Sequence, residues 1–299
     1  MVADNTRVVV IGDALIDEFR DETGSRDFVG GAALNVAVGL SVLGVPTTLI
    51  AMIGDDVDGA RIRAFLDQHG VELVATVGPN GSSRAISDRT DGEPRYEFNE
   101  AAWNRAVDFG DAEHAAIDAA SLVVVSCFPF DDVAQTAALE AAVADAPSRL
   151  VIDPNPRAGM LHSAERFLDG FRRLAASSLI VKVGDDDADL LAGEALAAFV
   201  ERLIASGASA VLGTAGRDGA FVRTASIEVA RPIADLPGPV VDTMGGGDAT
   251  LASSVASVRE DGLPADAAAW GVLLEDAMII AAATCRSEGA LLRTPALPA

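Results

Sequence analysis

The fold of this chain is decided by a segment near its carboxyl end, which reads Val240-Val241-Asp242-Thr243-Met244-Gly245-Gly246-Gly247-Asp248-Ala249-Thr250. It predicts a short strand, a glycine turn and then a helix of small residues that begins at Gly246. Successive glycines let backbone N–H groups converge at the helix start, where the helix dipole adds positive potential. The segment therefore predicts a site for an anion such as a phosphate.

Asp248 follows this glycine turn directly. Its carboxylate would stand beside a bound phosphate and could accept a proton from an incoming hydroxyl group. Phosphoryl transfer needs this combination of oriented N–H dipoles and a positioned base. A plain glycine turn with an acidic residue in the first helical turn gives the same local pattern. From these residues alone, both interpretations stay open.

Elsewhere in the chain, short β-branched runs alternate with amphipathic stretches of helical period, which is typical of an α/β fold with a mostly parallel sheet. The predicted strands are 7–11, 47–53, 122–126, 150–153, 179–183 and 210–213, with an edge hairpin over 219–232. The predicted helices are 33–43, 59–69, 133–144, 164–175, 194–206, 246–260 and 265–284.

Two stretches, about 13–30 and 83–107, break this rhythm. They alternate polar and apolar residues, and a helix does not follow promptly. We expect them to form a small second sheet that covers a site, although a pair of surface hairpins fits the pattern as well. The expected organisation is one domain over residues 1–299 with this lid inserted.

The formal net charge of −23 makes nucleic acid and anionic membranes poor candidate partners. The two cysteines, Cys127 and Cys285, lie in apolar segments, as reduced thiols usually do. No basic-then-apolar stretch of the signal-peptide type opens the sequence, and the apolar runs are shorter than the ~20 residues that span a bilayer. These features predict a cytoplasmic protein.

Two common nucleotide-binding motifs are missing from the sequence. The turn after the first predicted strand, Gly12-Asp13-Ala14-Leu15-Ile16-Asp17, lacks the Gly-x-Gly-x-x-Gly of dinucleotide-binding enzymes. No Gly-x-x-x-x-Gly-Lys-Ser/Thr occurs, and Lys182 lies in a predicted strand. A Rossmann oxidoreductase and a P-loop enzyme are both disfavoured.

The sequence resembles the ribokinase family of pfkB-type carbohydrate kinases over nearly its whole length, and its fructokinase-like branch in particular. The most specific match is residues 242–248 with the family's Asp-Thr-x-Gly-Ala-Gly-Asp signature. The resemblance implies a ribokinase-like three-layer α/β/α sandwich with a mostly parallel central sheet and a small β-sheet lid. It also implies that Asp248 is the catalytic base and that Gly245, Gly246 and Gly247 form the anion hole. Gly246 stands where the family usually has alanine.

The resemblance extends to residues that bind the acceptor sugar. Residues 30–35 are similar to the family's Gly-Gly-x-x-x-Asn, which implies contacts from Gly30, Gly31 and Asn35, and Asp17 matches the sugar-binding aspartate. Residues 153–157 resemble the Asp-x-Asn-x-Arg of the fructokinase-like branch, so the last substrate-binding candidates are Asn155 and Arg157. Arg157 suits a phosphate contact or a pair with one of the surplus acids.

For the nucleotide, the resemblance implies ATP and Mg²⁺. Thr214, Gly216 and Gly219 match the Thr-x-Gly-x-x-Gly that lies along the nucleotide. Residues 182–187 occupy the place of the family's Asn-x-x-Glu, which makes Lys182 a nucleotide ligand and Asp187 a ligand of Mg²⁺ through water. Met278 falls near the base, where many relatives have asparagine, and Asp242 is a candidate ligand for K⁺.

The predicted activity is ATP-dependent transfer of a phosphoryl group to a sugar hydroxymethyl group. Fructose or a similar unphosphorylated sugar is the favoured acceptor, because basic residues that would hold a second phosphate are sparse. Ribose, 2-keto-3-deoxygluconate and nucleosides stay open as acceptors. A non-catalytic sensor of sugar or nucleotide is the alternative from another class. The family also implies a homodimer joined through the lid.

Overall fold

The computed structural model describes residues 7–22, 24–88 and 95–295. The strands are β1 (Val8–Gly12), β2 (Leu15–Asp21), β3 (Gly24–Gly30), β4 (Thr47–Ile53), β5 (Glu72–Val77), β6 (Ser83–Asp88), β7 (Arg95–Phe98), β8 (Leu122–Ser126), β9 (Leu150–Asp153), β10 (Ile180–Gly184), β11 (Ala210–Thr214), β12 (Ala220–Thr224) and β13 (Glu228–Arg231). The helices are α1 (Ala32–Val42), α2 (Val57–Gln68), α3 (Glu100–Trp103), α4 (Asp111–Ala119), α5 (Val133–Ala142), α6 (Ala164–Ala175), α7 (Asp185–Ala192), α8 (Leu196–Ala205), α9 (Gly246–Asp261) and α10 (Ala267–Thr284).

The main sheet has nine strands in the order β13-β12-β11-β10-β9-β8-β1-β4-β5. The strands from β11 to β5 run parallel, and β12 and β13 add an antiparallel hairpin at one edge. The inner strands are continuous runs of buried apolar residues, as expected where helices cover both faces of a parallel sheet. The predicted α/β class is confirmed.

The sheet separates two hydrophobic cores, and alternate residues of each strand enter different ones. In β1, Val8 and Val10 pack on the side that carries α1, α2, α9 and α10. Val9 and Ile11 pack on the opposite side, with α4 to α8. This arrangement gives the three layers that the resemblance predicts, with α9 directly beside α1.

The second sheet has four strands in the order β3-β2-β6-β7, so the predicted small sheet forms. Asp17 on β2 lies opposite Phe28 on β3. Residues 89–94 of the predicted lid lie outside the described residues. The end of that stretch is not part of the sheet, because Asn99 caps the short helix α3 by accepting a hydrogen bond from the Ala102 N–H.

The strand predicted directly before the glycine turn is absent, and this prediction was wrong. Val240 and Val241 are exposed and irregular. The Val241 N–H donates to the carbonyl of Cys285, at the end of α10, over 2.9 Å. The segment is therefore held by a helix end and not by a neighbouring strand.

Helix α10 has 18 residues with a mean hydropathy of 1.5, so by length and composition it could cross a membrane. In the structure, 56% of it is buried inside the protein, where it packs on α9 and on the edge hairpin. The core helix of a folded domain has the same composition, and we assign α10 to the core.

Helix α2 begins with a cap that also fastens the base of the small sheet. Asp56 accepts hydrogen bonds from the Gly59 N–H at 2.7 Å, the Ser82 N–H at 2.7 Å and the Ser82 hydroxyl at 2.6 Å. Partial burial acts to raise the pKa of Asp56, but these hydrogen bonds stabilise the charged carboxylate more strongly, so the pKa is lowered. One carboxylate thus joins the two sheets through α2 and Ser82.

We predict that Asp56→Ala lowers the free energy of unfolding by about 1–2 kcal/mol at pH 7, the usual effect of losing a helix cap. Because the pKa of Asp56 is lowered in the folded state, this stabilisation is present above the ordinary pKa of aspartate and is lost as the pH falls. Asp55→Ala is the matched control, since Asp55 is exposed and makes no side-chain hydrogen bond to the described part of the chain. Equal urea midpoints for the two variants would contradict the assignment.

Candidate active site

Four neighbouring strands, β10, β9, β8 and β1, end along one edge of the main sheet. Polar groups stand at or directly after these ends, including Asp13 after β1 and Asp153 at the end of β9. Asn155 follows β9 and reaches Asp248 in the first turn of α9, so the start of that helix lies at the same edge. Ligands of open α/β sheets bind outside the carboxyl ends of the strands. This edge is therefore the candidate active site.

The glycine turn shapes the start of α9. Gly245 has a φ of +77°, and a Cβ built there would lie 2.1 Å from the Ala290 carbonyl oxygen, so only glycine fits. The Gly246 N–H donates to the Thr243 carbonyl over 3.3 Å. The N–H groups of Gly247 and Asp248 have no acceptor in the described part of the chain. Of the four N–H groups of residues 245–248, only that of Gly246 has an acceptor in the described part of the chain, so the other three stay available for an anion.

The Asp248 side chain faces the amide groups of two asparagines. Its Oδ2 accepts from Asn35 Nδ2 at 2.9 Å, and its Oδ1 lies 3.5 Å from Asn155 Nδ2. The residue is 7% exposed. Burial raises the pKa of Asp248, whereas the Asn35 hydrogen bond and the charges of Lys182 and Arg157 act to lower it. A carboxylate held in this way can accept a proton more readily than one in water.

The residues predicted to bind the sugar gather around Asp248. Asn35 Oδ1 is buried and has no hydrogen-bond partner among the described residues, so it offers an acceptor to a ligand hydroxyl. The Asp17 carboxylate packs against Gly30, where a Cβ would lie 2.1 Å from Asp17 Oδ2. Desolvation and the nearby Asp13 and Asp248 charges raise the pKa of Asp17 to about 7. Gly31, at φ +110°, lets the chain pass within contact of the Asp13 carbonyl.

Two residues after strand ends have left-handed backbones, which non-glycine residues seldom adopt. They are Cys127, after β8, with φ 53° and Asn155, after β9, with φ 39°. Such conformations are concentrated at functional sites, where surrounding structure holds them. Arg157 follows on the same loop; it is exposed and forms no ion pair within the described residues. Its charge nevertheless acts on nearby carboxylates, since it lowers the pKa of Asp248 and Asp13 without a direct contact.

Lys182 and Asp153 form a fully buried ion pair. The ammonium nitrogen lies 3.3 Å and 3.1 Å from the two carboxylate oxygens. A Cβ built on Gly247 would be 3.2 Å from Lys182 Nζ. The ammonium group therefore lies between the end of β9 and the backbone at the start of α9.

Asp187 lies in the first turn of α7 and caps that helix. Its Oδ2 accepts from the Gly184 N–H at 2.6 Å. Burial and the Asp153 charge raise the pKa of Asp187 to about 6, against the opposing effect of Lys182. The described residues contain no group of three or more acidic, histidine or cysteine side chains that could hold a metal ion. This donor set suits a Mg²⁺ that arrives on a nucleotide more than one held by the protein alone.

The remaining predicted nucleotide residues are spread along the nearby loop and helix. Thr214 ends β11, and Gly216 and Gly219 have φ values of +50° and +93° in the turn to β12. Gly219 is also required by that turn, because a Cβ there would meet the Arg231 carbonyl at 2.1 Å. Met278 is 3% exposed within the hydrophobic core on α10, so its side chain offers a nucleotide no surface in this structure.

Asp242 joins two loops beside the glycine turn. Its Oδ1 accepts from the Met244 N–H at 2.9 Å, and its Oδ2 accepts from the Gly289 N–H at 3.2 Å. Both oxygens are thus engaged with the backbone, and only their remaining lone pairs could bind a cation. Its evident role is to hold the segment before α9 against the loop after α10.

Three residues of this edge were missed by sequence reasoning. Asp13 is 7% exposed, and its Oδ1 accepts from the Ala33 N–H at the start of α1. Asp153 has no exposed surface, and Arg105 is buried beside the carbonyls of Cys127 and Ala102. The two aspartates could have been identified as site residues, because each is an acidic residue at the end of an apolar strand. Arg105 could not, because its hydrogen-bond partners include residues that are distant in the sequence.

The sequence matches the family model described as "pfkB family carbohydrate kinase" over residues 5–295. Among curated proteins, it is 32% identical to a fructokinase from Rhizobium leguminosarum bv. trifolii over 275 residues, which is 86% of this chain and 81% of that protein.

Solved structures of two other kinases are similar to this chain in fold. A fructokinase from Xylella fastidiosa with bound ATP matches with a TM-score of 0.81 at 20% identity, covering 96% of this chain and 94% of the other. An aminoimidazole riboside kinase from Salmonella enterica, complexed with aminoimidazole riboside and an ATP analogue, matches with a TM-score of 0.76 at 23% identity and covers 95% of both chains. The family signature, the fold and the polar edge around Asp248 coincide, and the chain belongs to the pfkB family of carbohydrate kinases.

Proposed function

We propose that this carbohydrate kinase transfers the γ-phosphoryl group of ATP to a hydroxymethyl group of fructose or a similar unphosphorylated sugar, with Asp248 as the base. The observation that carries the proposal is the position of Asp248: its carboxylate is buried at the start of α9, next to the N–H groups of Gly247 and Asp248, which have no acceptor within the described residues. Base and anion site are thus adjacent residues of one helical turn, as phosphoryl transfer requires.

In the proposed reaction, Asp248 accepts the proton of the sugar hydroxyl while that oxygen forms a bond to the γ-phosphorus. The bond from the γ-phosphorus to the bridging oxygen breaks, and ADP leaves. The N–H groups of Gly247 and Asp248 donate to the phosphoryl oxygens as negative charge develops there. The hydrogen bond from Asn35 keeps the Asp248 carboxylate directed at the acceptor.

Asp17, Asn35 and Asn155 are the proposed sugar ligands. Carboxylate and amide groups suit a polyol, because a carboxylate accepts from hydroxyls and an amide both donates and accepts. The unpartnered Oδ1 of Asn35 supports a hydroxyl contact at that position. Fructose is favoured by the fructokinase relative and by the Asp-x-Asn-x-Arg segment.

ATP is the proposed donor because structures of similar fold contain ATP or its analogue. Mg²⁺ carried on the phosphates would supply charge compensation, and Asp187 is its proposed ligand through water. Thr214, Gly216 and Gly219 would line the nucleotide, with Lys182 near the phosphates. K⁺ near Asp242 and a homodimer through the small sheet are further proposals, tested by replacing K⁺ with Na⁺ in the assay and by light scattering.

We predict that Asp248→Asn lowers kcat by about 10²–10⁴-fold, because the amide cannot accept the proton. Sugar and ATP binding should change little, since asparagine has nearly the shape of aspartate and its side-chain oxygen can still accept the hydrogen bond from Asn35. ADP release with fructose measures kcat, and calorimetry measures binding. Asp261→Asn, an exposed change at the other end of α9, is the control. Near-normal turnover by Asp248→Asn would exclude this mechanism.

Two neighbouring glycines should respond differently to alanine. Gly245→Ala should lower activity more than tenfold, because φ +77° costs alanine about 1–2 kcal/mol and its methyl group would overlap the Ala290 carbonyl. Gly246→Ala should stay within about threefold of wild type, a barrier change below about 1 kcal/mol, since its methyl group would meet only the Cys285 sulfur at 3.2 Å. ADP-release rates of both variants test this, and the reverse order would show that the turn is misassigned.

The Asn35 hydrogen bond lowers the pKa of Asp248, so removing it should raise that pKa. The carboxylate is the active form, and the acid limb of the kcat profile should therefore move to higher pH in Asn35→Ala. Asn104→Ala, at an exposed amide on the end of α3, is the control. A limb that is unmoved, or moved to lower pH, would argue against Asp248 as the titrating base.

A further inference from the structure

Lys182 is the only lysine in the sequence; all the other basic residues among its 22 lysines and arginines are arginine. It is also 5% exposed, whereas most lysines lie at the surface. An ammonium group is a compact point charge, and a guanidinium group is a larger planar fork. A chain that uses arginine everywhere else thus has an ammonium group at one buried position, at the edge that forms the active site.

The partner of Lys182 is set by the register of two parallel strands. Val151 lies opposite Ile180 and Ile152 opposite Val181, so Asp153 and Lys182 come next at the strand ends. Both hydrogen bonds of the ammonium group go to Asp153. An ammonium group has three N–H donors, so at least one remains without an acceptor in the described part of the chain.

The surroundings of this pair are strongly acidic. Besides Asp153, the carboxylates of Asp187 and Asp248 lie close enough to raise the pKa of Lys182, against the effect of its burial. The phosphates of a bound ATP would bring further negative charge next to these buried carboxylates. The oriented N–H dipoles of a helix start are equivalent to only about half a unit charge. A full positive charge next to them is therefore needed to hold the phosphates.

We propose that Asp153 is a positioning residue that holds the Lys182 ammonium group against Gly247, so that Lys182 contacts the transferring phosphoryl group together with the N–H groups of α9. This inference rests on the proposed transfer from ATP and adds to it the residue that sets the position of the positive charge. Lys182 keeps at least one N–H free for a phosphoryl oxygen while Asp153 holds the other side of the ammonium group.

The plainer alternative is an ion pair that only fastens β9 to β10. Such a fastener would work as well with arginine, which pairs with carboxylates in a bidentate way and is the basic residue of the rest of the chain. A purely structural pair would also not require Lys182 Nζ to lie close to the start of α9, yet it lies 3.2 Å from the position that a Cβ on Gly247 would take. Both features favour a role at the phosphate site.

The kinetic test compares Lys182→Met and Asp153→Asn, which keep side-chain size, with Asp131→Asn. Asp131 is a buried acid that only accepts backbone N–H groups at His162 and Ser163, so it controls for the loss of a buried carboxylate. Lys182→Met should lower kcat by about 10²–10³-fold. Asp153→Asn should lower it by about 10–100-fold, because the ammonium group is retained but loosely placed. The KM for sugar should change less than about threefold in both, since neither residue touches the acceptor.

A second readout uses the fact that the protein has one lysine. Lysine labelled with ¹³C and ¹⁵N gives a single side-chain signal, which reports on Lys182 without assignment. A non-hydrolysable MgATP analogue should shift this signal, adenosine should not, and Asp153→Asn should show a different signal before nucleotide is added. A merely structural pair would leave the signal unchanged by the analogue.

The outcomes are separable. Normal kcat with a lowered melting temperature in Lys182→Met, or an unshifted lysine signal when the MgATP analogue is bound, overturns the inference. If Lys182→Met does not fold, the labelled wild-type protein decides it. A wild-type protein that binds the MgATP analogue with a shifted lysine signal but phosphorylates no sugar contradicts the proposed function and leaves the role of Lys182 supported.

Discussion

The structure depends on how buried negative charge is compensated at one edge of the sheet. Asp13, Asp153, Asp187 and Asp248 are each less than a tenth exposed, and burial raises the pKa of all four. A buried carboxylate is costly unless it is hydrogen-bonded or paired. Backbone N–H groups at the starts of α1 and α7, the Lys182 ammonium and the Asn35 amide provide these partners. Asp248 alone is held by side-chain amides.

The fold provides this edge because parallel strands end together and helices begin beside them. The main sheet orders β10, β9, β8 and β1 side by side, and α9 packs on α1 so that its first turn faces their ends. Left-handed backbones at Cys127 and Asn155 turn the chain sharply after two of these strands. The second sheet contributes Asp17 from the opposite side. Elements that are far apart in sequence thus bring these polar groups to one carboxylate.

Sequence patterns predicted the apolar parts of this fold well and the polar parts less well. Strand β4 was predicted with its observed bounds, because a fully buried parallel strand is a continuous apolar run between turn signals. Strand β5 (Glu72–Val77) and helix α7 were missed, since polar residues interrupt the first and three aspartates open the second. The glycine turn identified Asp248, but the pairing of Asp153 with Lys182 depends on strand register, which local sequence does not encode. Met278 is buried, and position in the sequence alone does not tell which face of α10 is buried.

The central claim is that the backbone at the start of α9 binds the phosphoryl group beside Asp248. It is tested most directly by the amide NMR signals of Gly247 and Asp248 when ADP, aluminium fluoride and fructose are added together to mimic the transferring group. The account predicts large shifts of these two signals, because their free N–H groups gain acceptors, and small shifts for the Ala249 N–H, which is already bonded to the Gly245 carbonyl. Unchanged signals from Gly247 and Asp248 in the fully bound complex would contradict it.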